Sequence, residues 1–369
     1  MEYLDYIETI LDRKDILSSN FNKRFCSDWT HIYKFKPLAV AFPRNTEQVS
    51  NLVKASKKFS IPIVPMSGNT GLVGGTFAEN SLIISLEKMN SIIKINKGSN
   101  LVSVEAGVIL SDLHSELSKH NFSFPVTFGA RGSAMIGGIL SSNAGGSNVL
   151  KYGNSRDLCL GIEVVLPDGR ILNMMSELHK DNSGLDLKNL LIGSEGTLGI
   201  ITKAILKIFP TPKNFFTAMI CLNENQDPLN ILRKVENKLG KEVEAFEYMP
   251  AFYVKEFYRL FPKKVKLFDR YHDINILLEV ASNSDVMNDE DNSGTSILKN
   301  HLEEILSSFL DENLLEDVLI AQNDSQRKSM WEIREAAAEI TVSRKPVVIT
   351  DVSLPLDSVS KFINLVNKK

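Results

Sequence analysis

From Pro37 onward the chain alternates short apolar runs with amphipathic stretches. Residues 38–42 read as a strand. Asn45 or Thr46 caps a helix that turns Val49, Leu52, Val53 and Phe59 inward, and a second strand follows at 61–64. This is a β-α-β opening. Further strands are expected at 82–86, 92–95 and 101–104, then a helix from Ser111 with Leu113 and Leu117 on one face. The run 161–173 alternates and turns at Asp168-Gly169, a hairpin signal in which both central residues favour positive φ. The opening segment to about Ser27 reads as an amphipathic helix followed by a polar turn, with packing as its role.

After Pro210 and Pro212 the glycine density drops and longer helices alternate with isolated strands, expected at 215–222, 274–280, 318–322 and 347–352. The acidic stretch 282–295 reads as an exposed loop and 324–343 as one helix. Asp357 is expected to cap a final helix that buries a stripe of Val359, Phe362, Ile363 and Val366. The fold class is therefore α+β in both halves.

Composition narrows the function. With 43% apolar residues in 369, the chain is long enough for two cores. A formal charge of −3 supplies no broad positive field, so nucleic acid is not an expected partner. Cys26, Cys159 and Cys221 are odd in number and have no CxxC spacing, which fits a reducing compartment. With neither a signal peptide nor a span of ~20 apolar residues in view, a cytoplasmic protein is expected. His31, His114, His120, His179, His272 and His301 are scattered without metal-ligand spacing, so no metal site is assigned, and His114 reads as a helix-surface residue.

Chemistry concentrates in three glycine clusters. Strand 61–64 runs into Pro65-Met66-Ser67-Gly68-Asn69-Thr70-Gly71-Leu72-Val73-Gly74-Gly75. Four glycines there let main chain approach a ligand closely and aim several N–H groups at it, as a pyrophosphate requires. The loop matches neither a Walker A motif nor GxGxxG, and a glycine-rich surface turn is the plainer alternative. The second cluster runs from Gly129-Ala130-Arg131-Gly132-Ser133 through Gly137-Gly138 to Asn143-Ala144-Gly145-Gly146. The third is Gly193-Ser194-Glu195-Gly196-Thr197-Leu198-Gly199-Ile200-Ile201. Three such clusters in one domain exceed what turns alone need.

PMSGNTGLVGG, FGARGSAMIGGILSSNAGG, VVLPDGRIL and KDNSGLDLKNLLIGSEGTLGIIT, in this order, resemble the FAD-linked oxidases of the vanillyl-alcohol-oxidase/p-cresol-methylhydroxylase (PCMH) superfamily, and within it the D-2-hydroxyglutarate and D-lactate dehydrogenase group. The resemblance runs from about Phe35; beyond an N-terminal helical segment 1–34 it implies a PCMH-type FAD-binding domain of two α+β subdomains at 35–210, and an α+β substrate, or cap, domain at 211–369, incomplete at its C-terminus. It implies that Pro65, Ser67, Gly68, Asn69, Thr70, Gly71, Leu72, Gly74 and Gly75 wrap the pyrophosphate. Ser133, Gly137, Gly138, Asn143, Gly145 and Gly146 line the flavin, and Glu195, Gly196, Gly199, Ile200 and Ile201 complete the pocket. No histidine stands in the first loop to tether the flavin, so noncovalent FAD is expected.

The activity implied is oxidation of a D-2-hydroxy acid to the 2-oxo acid by hydride transfer to flavin N5. Arg334, in the pattern Trp331-x-x-Arg334-Glu335, would clamp the substrate carboxylate. Its alternative is pairing with Glu335 or Glu339. Trp331 reads as core packing. Relatives acting on D-2-hydroxyglutarate carry threonine and lysine where Ala338 and Ile349 stand here, so Arg344 or Lys345 would have to substitute, and D-lactate or glycolate is equally compatible. The family's base histidine and its His-rich, zinc- or manganese-binding strand have no counterpart in the chain, so no catalytic residue is assigned. The chain is then a truncated fragment or a natural short form, and a divalent metal belongs only to an extended chain. The alternative is a non-catalytic flavin subunit of a glycolate-oxidase-like complex. Quinone, cytochrome or an electron-transfer flavoprotein is the expected electron acceptor, and a homodimer is left open.

Overall fold

The computed structural model describes residues 2–290, 294–344 and 347–367. The chain forms two compact units: residues up to Gly146 with Tyr152–Thr211, and Ser147–Lys151 with the residues from Pro212 onward.

Besides a two-stranded sheet, Phe122–Ser123 with Phe209–Pro210, the first unit holds two larger sheets. In one, Ile16–Leu17, Ala39–Ala41, Leu82–Ser85 and Ile63–Met66 lie in that order, the last three parallel. Helix Thr46–Phe59 makes the crossover. Asn45 accepts from Gln48 N at 2.9 Å at its start, Ser60 closes it in the left-handed region at φ 56°, and Val49, Leu52 and Val53 pack on Ala39, Ala41, Leu82 and Ile84. The second sheet is antiparallel, ordered Ile92–Asn96, Leu101–Glu105, Ile200–Lys207, Cys159–Val165, Ile171–Met174. Its core side receives Leu113 and Leu117 of helix Leu110–Ser118 and Ile136, Ile139 and Leu140 of helix Ile136–Ser141. Buried Glu163 joins helix to sheet by accepting from Thr46 Oγ1 at 2.5 Å and Thr202 Oγ1 at 3.0 Å.

The hairpin turn differs from the two-residue form expected. Leu166 N donates to Arg170 O and Gly169 N to Leu166 O, and only Gly169 of the Asp168-Gly169 pair has positive φ. Pro167, whose φ is fixed, opens a type I turn, and Gly169 takes the bulge position of a three-residue loop.

In the second unit Val243–Pro250, Ile274–Ser282, Asn214–Leu222 and Asp317–Ile320 form one antiparallel sheet. Alternate residues face opposite sides. Ala218, Ile220, Leu222, Ile276, Leu278 and Val280 pack with helices Pro228–Leu239 and Ile297–Asp311. Met219 and Leu277 pack with helices Ala251–Leu260, Asp324–Glu335 and Ala337–Val342.

Several expectations are corrected here. Strand Val243–Pro250 went unrecognised because Glu244 and Glu247 interrupt its apolar run. The run 347–352 forms no strand: its backbone is irregular and Val348 is 89% exposed, since β-branched propensity makes a strand only where a sheet edge is offered. Helix 324–343 is two helices, broken at Ala336 with φ −75° and ψ 8°. The stretch 282–295 contains a helical turn, Asp285–Asn288, and its residues 291–293 lie outside the described residues. Phe362 and Val366 of helix Val359–Asn367 are exposed rather than buried. His114 is half-buried: burial pushes its pKa down, and Nε2 lies 3.0 Å from Phe124 O.

Candidate functional site

The three glycine clusters of the first unit converge. A Cβ on Gly68 would stand 1.9 Å from Ser133 O, one on Gly138 2.9 Å from Ser67 Cβ, and one on Gly196 2.6 Å from the Pro65 ring. These approaches bring the first cluster against both others. The third is tied to the second by main chain, Gly193 N donating to Leu140 O and Glu195 N to Ser141 O. Gly137 N donates to Ala106 O at 2.7 Å, and Gly146 packs on Thr127. Gly145 is exposed in the irregular stretch beside it. Asn69, Asn143 and Glu195 take φ of 51°, 47° and 53°, so each cluster holds a non-glycine residue in a costly conformation that the surroundings must impose.

Among the described residues, no main-chain N–H from Ser67 to Gly75 donates to another protein atom. A run of free donors is expensive to bury without a partner and well suited to anionic oxygens. Gly71 and Gly132 face open space, whereas Gly199, Ile200 and Ile201 are buried, the two isoleucine side chains in the cores. Those last residues therefore offer a ligand only main chain. Leu72 is 42% exposed and Thr70 is half-buried.

Two supports were not legible in the sequence. The Asn69 side chain donates to Arg24 O and Ser27 O, both at 2.9 Å, and accepts from Thr76 Oγ1 at 2.7 Å. The N-terminal segment thus fastens the first loop, and both amide donors of Asn69 are spent on structure. Arg156 ties the second cluster to the third, its N donating to Asn143 Oδ1 at 2.9 Å and its Nη2 to Ile192 O at 2.7 Å. The capping box at Asn154 and Asp157, which fixes the helical turn carrying Arg156, was the available signal.

In the second unit Arg334 pairs through Nε with Glu247, not with Glu335 or Glu339. The Tyr253 hydroxyl donates to the carbonyls of Ile333 and Arg334 at 2.8 and 3.0 Å, just before the break at Ala336. Burial pushes the Tyr253 hydroxyl up to about 12, so it stays a donor through neutral and mildly alkaline pH. Trp331 has a polar role besides packing: Nε1 donates to Glu279 at 2.7 Å, where Arg327 adds a bidentate pair and Thr217 a further bond at 2.5 Å. Arg344 pairs with Glu256, Ile349 is 44% exposed, Ala338 is half-buried, and Lys345 lies outside the described residues.

Two family descriptions match along the chain, an FAD binding domain over residues 37–175 and the C-terminal domain of FAD linked oxidases over 211–369. The chain belongs to the FAD-linked oxidases. It is 32% identical to the mitochondrial D-2-hydroxyglutarate dehydrogenase of Arabidopsis thaliana, over 98% of this chain and 63% of that protein. To the Danio rerio enzyme of the same name it is also 32% identical, over 98% of this chain and 66% of that one. This FAD-linked oxidase chain thus spans less than two thirds of the length of these relatives. Alkyldihydroxyacetonephosphate synthase shares the fold at TM-score 0.72 and 16% identity, covering 99% of this chain and 74% of that one. The α+β architecture, with an FAD-binding domain distinct from a C-terminal oxidase domain, is the PCMH type.

The expected cytoplasmic location is corrected, because these relatives are mitochondrial by name. Free cysteines fit any reducing compartment and do not choose between two of them. Among the described residues no helix is long and apolar enough to cross a membrane, and no three His, Cys, Asp or Glu side chains group to hold a metal ion.

Proposed function

We propose that this chain holds the FAD and the substrate carboxylate of an oxidoreductase that converts a D-2-hydroxy acid, D-2-hydroxyglutarate, D-lactate or glycolate, to the 2-oxo acid. FAD when bound supplies the hydride acceptor. The observation carrying this reading is the run of main-chain N–H groups from Ser67 to Gly75 without protein partners among the described residues, packed against the other two clusters. These donors would hold the pyrophosphate noncovalently. Ser133, Gly137, Gly138, Asn143, Gly145 and Gly146 would lie along the ring system, with Glu195, Gly196, Gly199, Ile200 and Ile201 closing the far side. Arg334 would receive the carboxylate, and electrons would pass on to a quinone, a cytochrome or another flavoprotein. The names of the relatives support a mitochondrial setting.

The test is to titrate the purified chain with FAD and follow quenching of flavin fluorescence, comparing wild type with Gly71→Asp and Gly71→Ala. Gly71 has open space around it, so both variants fold. The aspartate sets a carboxylate against the phosphates and weakens FAD binding by more than about tenfold, while alanine leaves it near wild type. Undiminished binding by Gly71→Asp would remove the loop from the site, and no FAD binding by wild type would end the proposal.

A further inference from the structure

The guanidinium of Arg334 is held by one edge. Its Nε donates to Glu247, while Nη1 and Nη2 donate to no protein atom among the described residues. Glu247 sits in strand Val243–Pro250, opposite Leu277 on the neighbouring strand, and the Tyr253 hydroxyl pins the Arg334 main chain. Both ends of the pair are therefore anchored, the carboxylate in a sheet and the arginine at the close of a helix. A guanidinium fixed through Nε presents its two terminal N–H groups side by side, the geometry that accepts one carboxylate end-on.

The charge around this arginine is as telling as its orientation. Glu247 already neutralises Arg334, and Glu339 lies near enough to act on Tyr253 together with Glu247. Arg327 of the same helix and Arg344 beyond the next one are committed elsewhere, to Glu279 and to Glu256. A ligand with one carboxylate meets two free donors. A ligand with two brings its second negative charge toward Glu247 and meets repulsion from it.

We propose that Glu247 is the positioning and charge-selecting residue of this site, holding Arg334 for a 2-hydroxy acid with a single carboxylate and disfavouring one with two. The inference rests on the reading of Arg334 as the carboxylate-binding residue. It refines that reading from hydroxy acids in general to monocarboxylates.

The experiment measures binding of D-lactate and of D-2-hydroxyglutarate to the FAD-loaded full chain by isothermal titration calorimetry, in wild type, E247Q, E247D and R334Q. Wild type binds D-lactate more tightly. Glutamine keeps an oxygen for Nε but no charge, so E247Q binds D-2-hydroxyglutarate about tenfold more tightly and D-lactate within about twofold of wild type. Aspartate keeps the charge but falls one methylene short, so E247D weakens both. A merely structural role for Glu247 would leave the ratio of the two affinities unmoved in E247Q, and that result overturns the inference. Should E247Q not fold, the wild-type ratio decides, since tighter binding of the dicarboxylate is equally fatal. R334Q separates the two levels: if it binds both acids as wild type does, the carboxylate-site reading itself falls. If it loses both while E247Q leaves the ratio unchanged, only the role of Glu247 is lost.

Discussion

In the first unit the proposed anion site is main chain: a loop whose N–H groups have no protein partner among the described residues, set against two other glycine-rich turns at distances that forbid a side chain. In the second unit it is side chain: one arginine, aimed by a glutamate from a strand 87 positions away in sequence. The difference decides how each site fails. A main-chain cradle has no group to delete and is broken only by adding atoms. A side-chain site is broken by removing a partner and leaving a charge unpaired.

The sharpest test of that contrast is Gly68→Ala. The added methyl would overlap the Ser133 carbonyl oxygen, a backbone atom that cannot rotate aside, so the first two clusters must part. FAD affinity, read by fluorescence quenching, is expected to fall by more than about a hundredfold, or roughly 3 kcal/mol. Binding within about threefold of wild type would mean that the clusters do not cooperate. The counterpart in the second unit is Glu279→Ala, which strands Arg327 and strips Trp331 and Thr217 of their acceptor. Loss of about 3–5 kcal/mol is expected in denaturant unfolding of that unit, with FAD binding unchanged. A change below about 1 kcal/mol would show that solvent replaces the glutamate.

The smallest effect at neutral pH comes from Asp15, buried at 2% exposure in the first unit. Hydrogen bonds from Arg44 and Lys88 hold its carboxyl down at about 2, against 3.8 for the free group. A depressed carboxyl contributes stability that is complete above its unfolded pKa and is lost as pH falls through its folded one. Stability of wild type should therefore decline between about pH 4 and pH 2, and Asp15→Asn should flatten that part of the acid limb in a thermal-melt series. An acid limb identical in the two proteins would assign the loss to other carboxyls, such as Glu163. There burial raises the pKa, but bonds from Thr46, Lys203 and Thr202 outweigh it and bring the net value below the usual range.

The cradle was legible because its requirement falls on residue type at fixed positions. Gly68, Gly138 and Gly196 had to be glycine, and helix Thr46–Phe59 announces itself by Asn45 and by Val49, Leu52 and Val53. What stayed hidden depends on partners distant in sequence. No local pattern says that Glu247 meets Arg334, or that Asn69 turns its amide back to Arg24 and Ser27. The same holds for strands: VEAFEYMP pairs despite two acids because Ile274–Ser282 offers it an edge, while the strongly β-branched 347–352 finds none. The break at Ala336 lies in a sequence of good helix formers, and alanine gives no warning of it.

The pentapeptide Ser147–Lys151 belongs to the second unit although the chain on either side belongs to the first. Its Lys151 donates to Glu244 Oε1 and to the carbonyl of Ala281, both at 2.8 Å. During synthesis these five residues leave the ribosome long before the strands that receive them, so they wait unseated until the second unit's sheet has formed. A cut after Thr211 would likewise yield a protein with one loop missing its anchor.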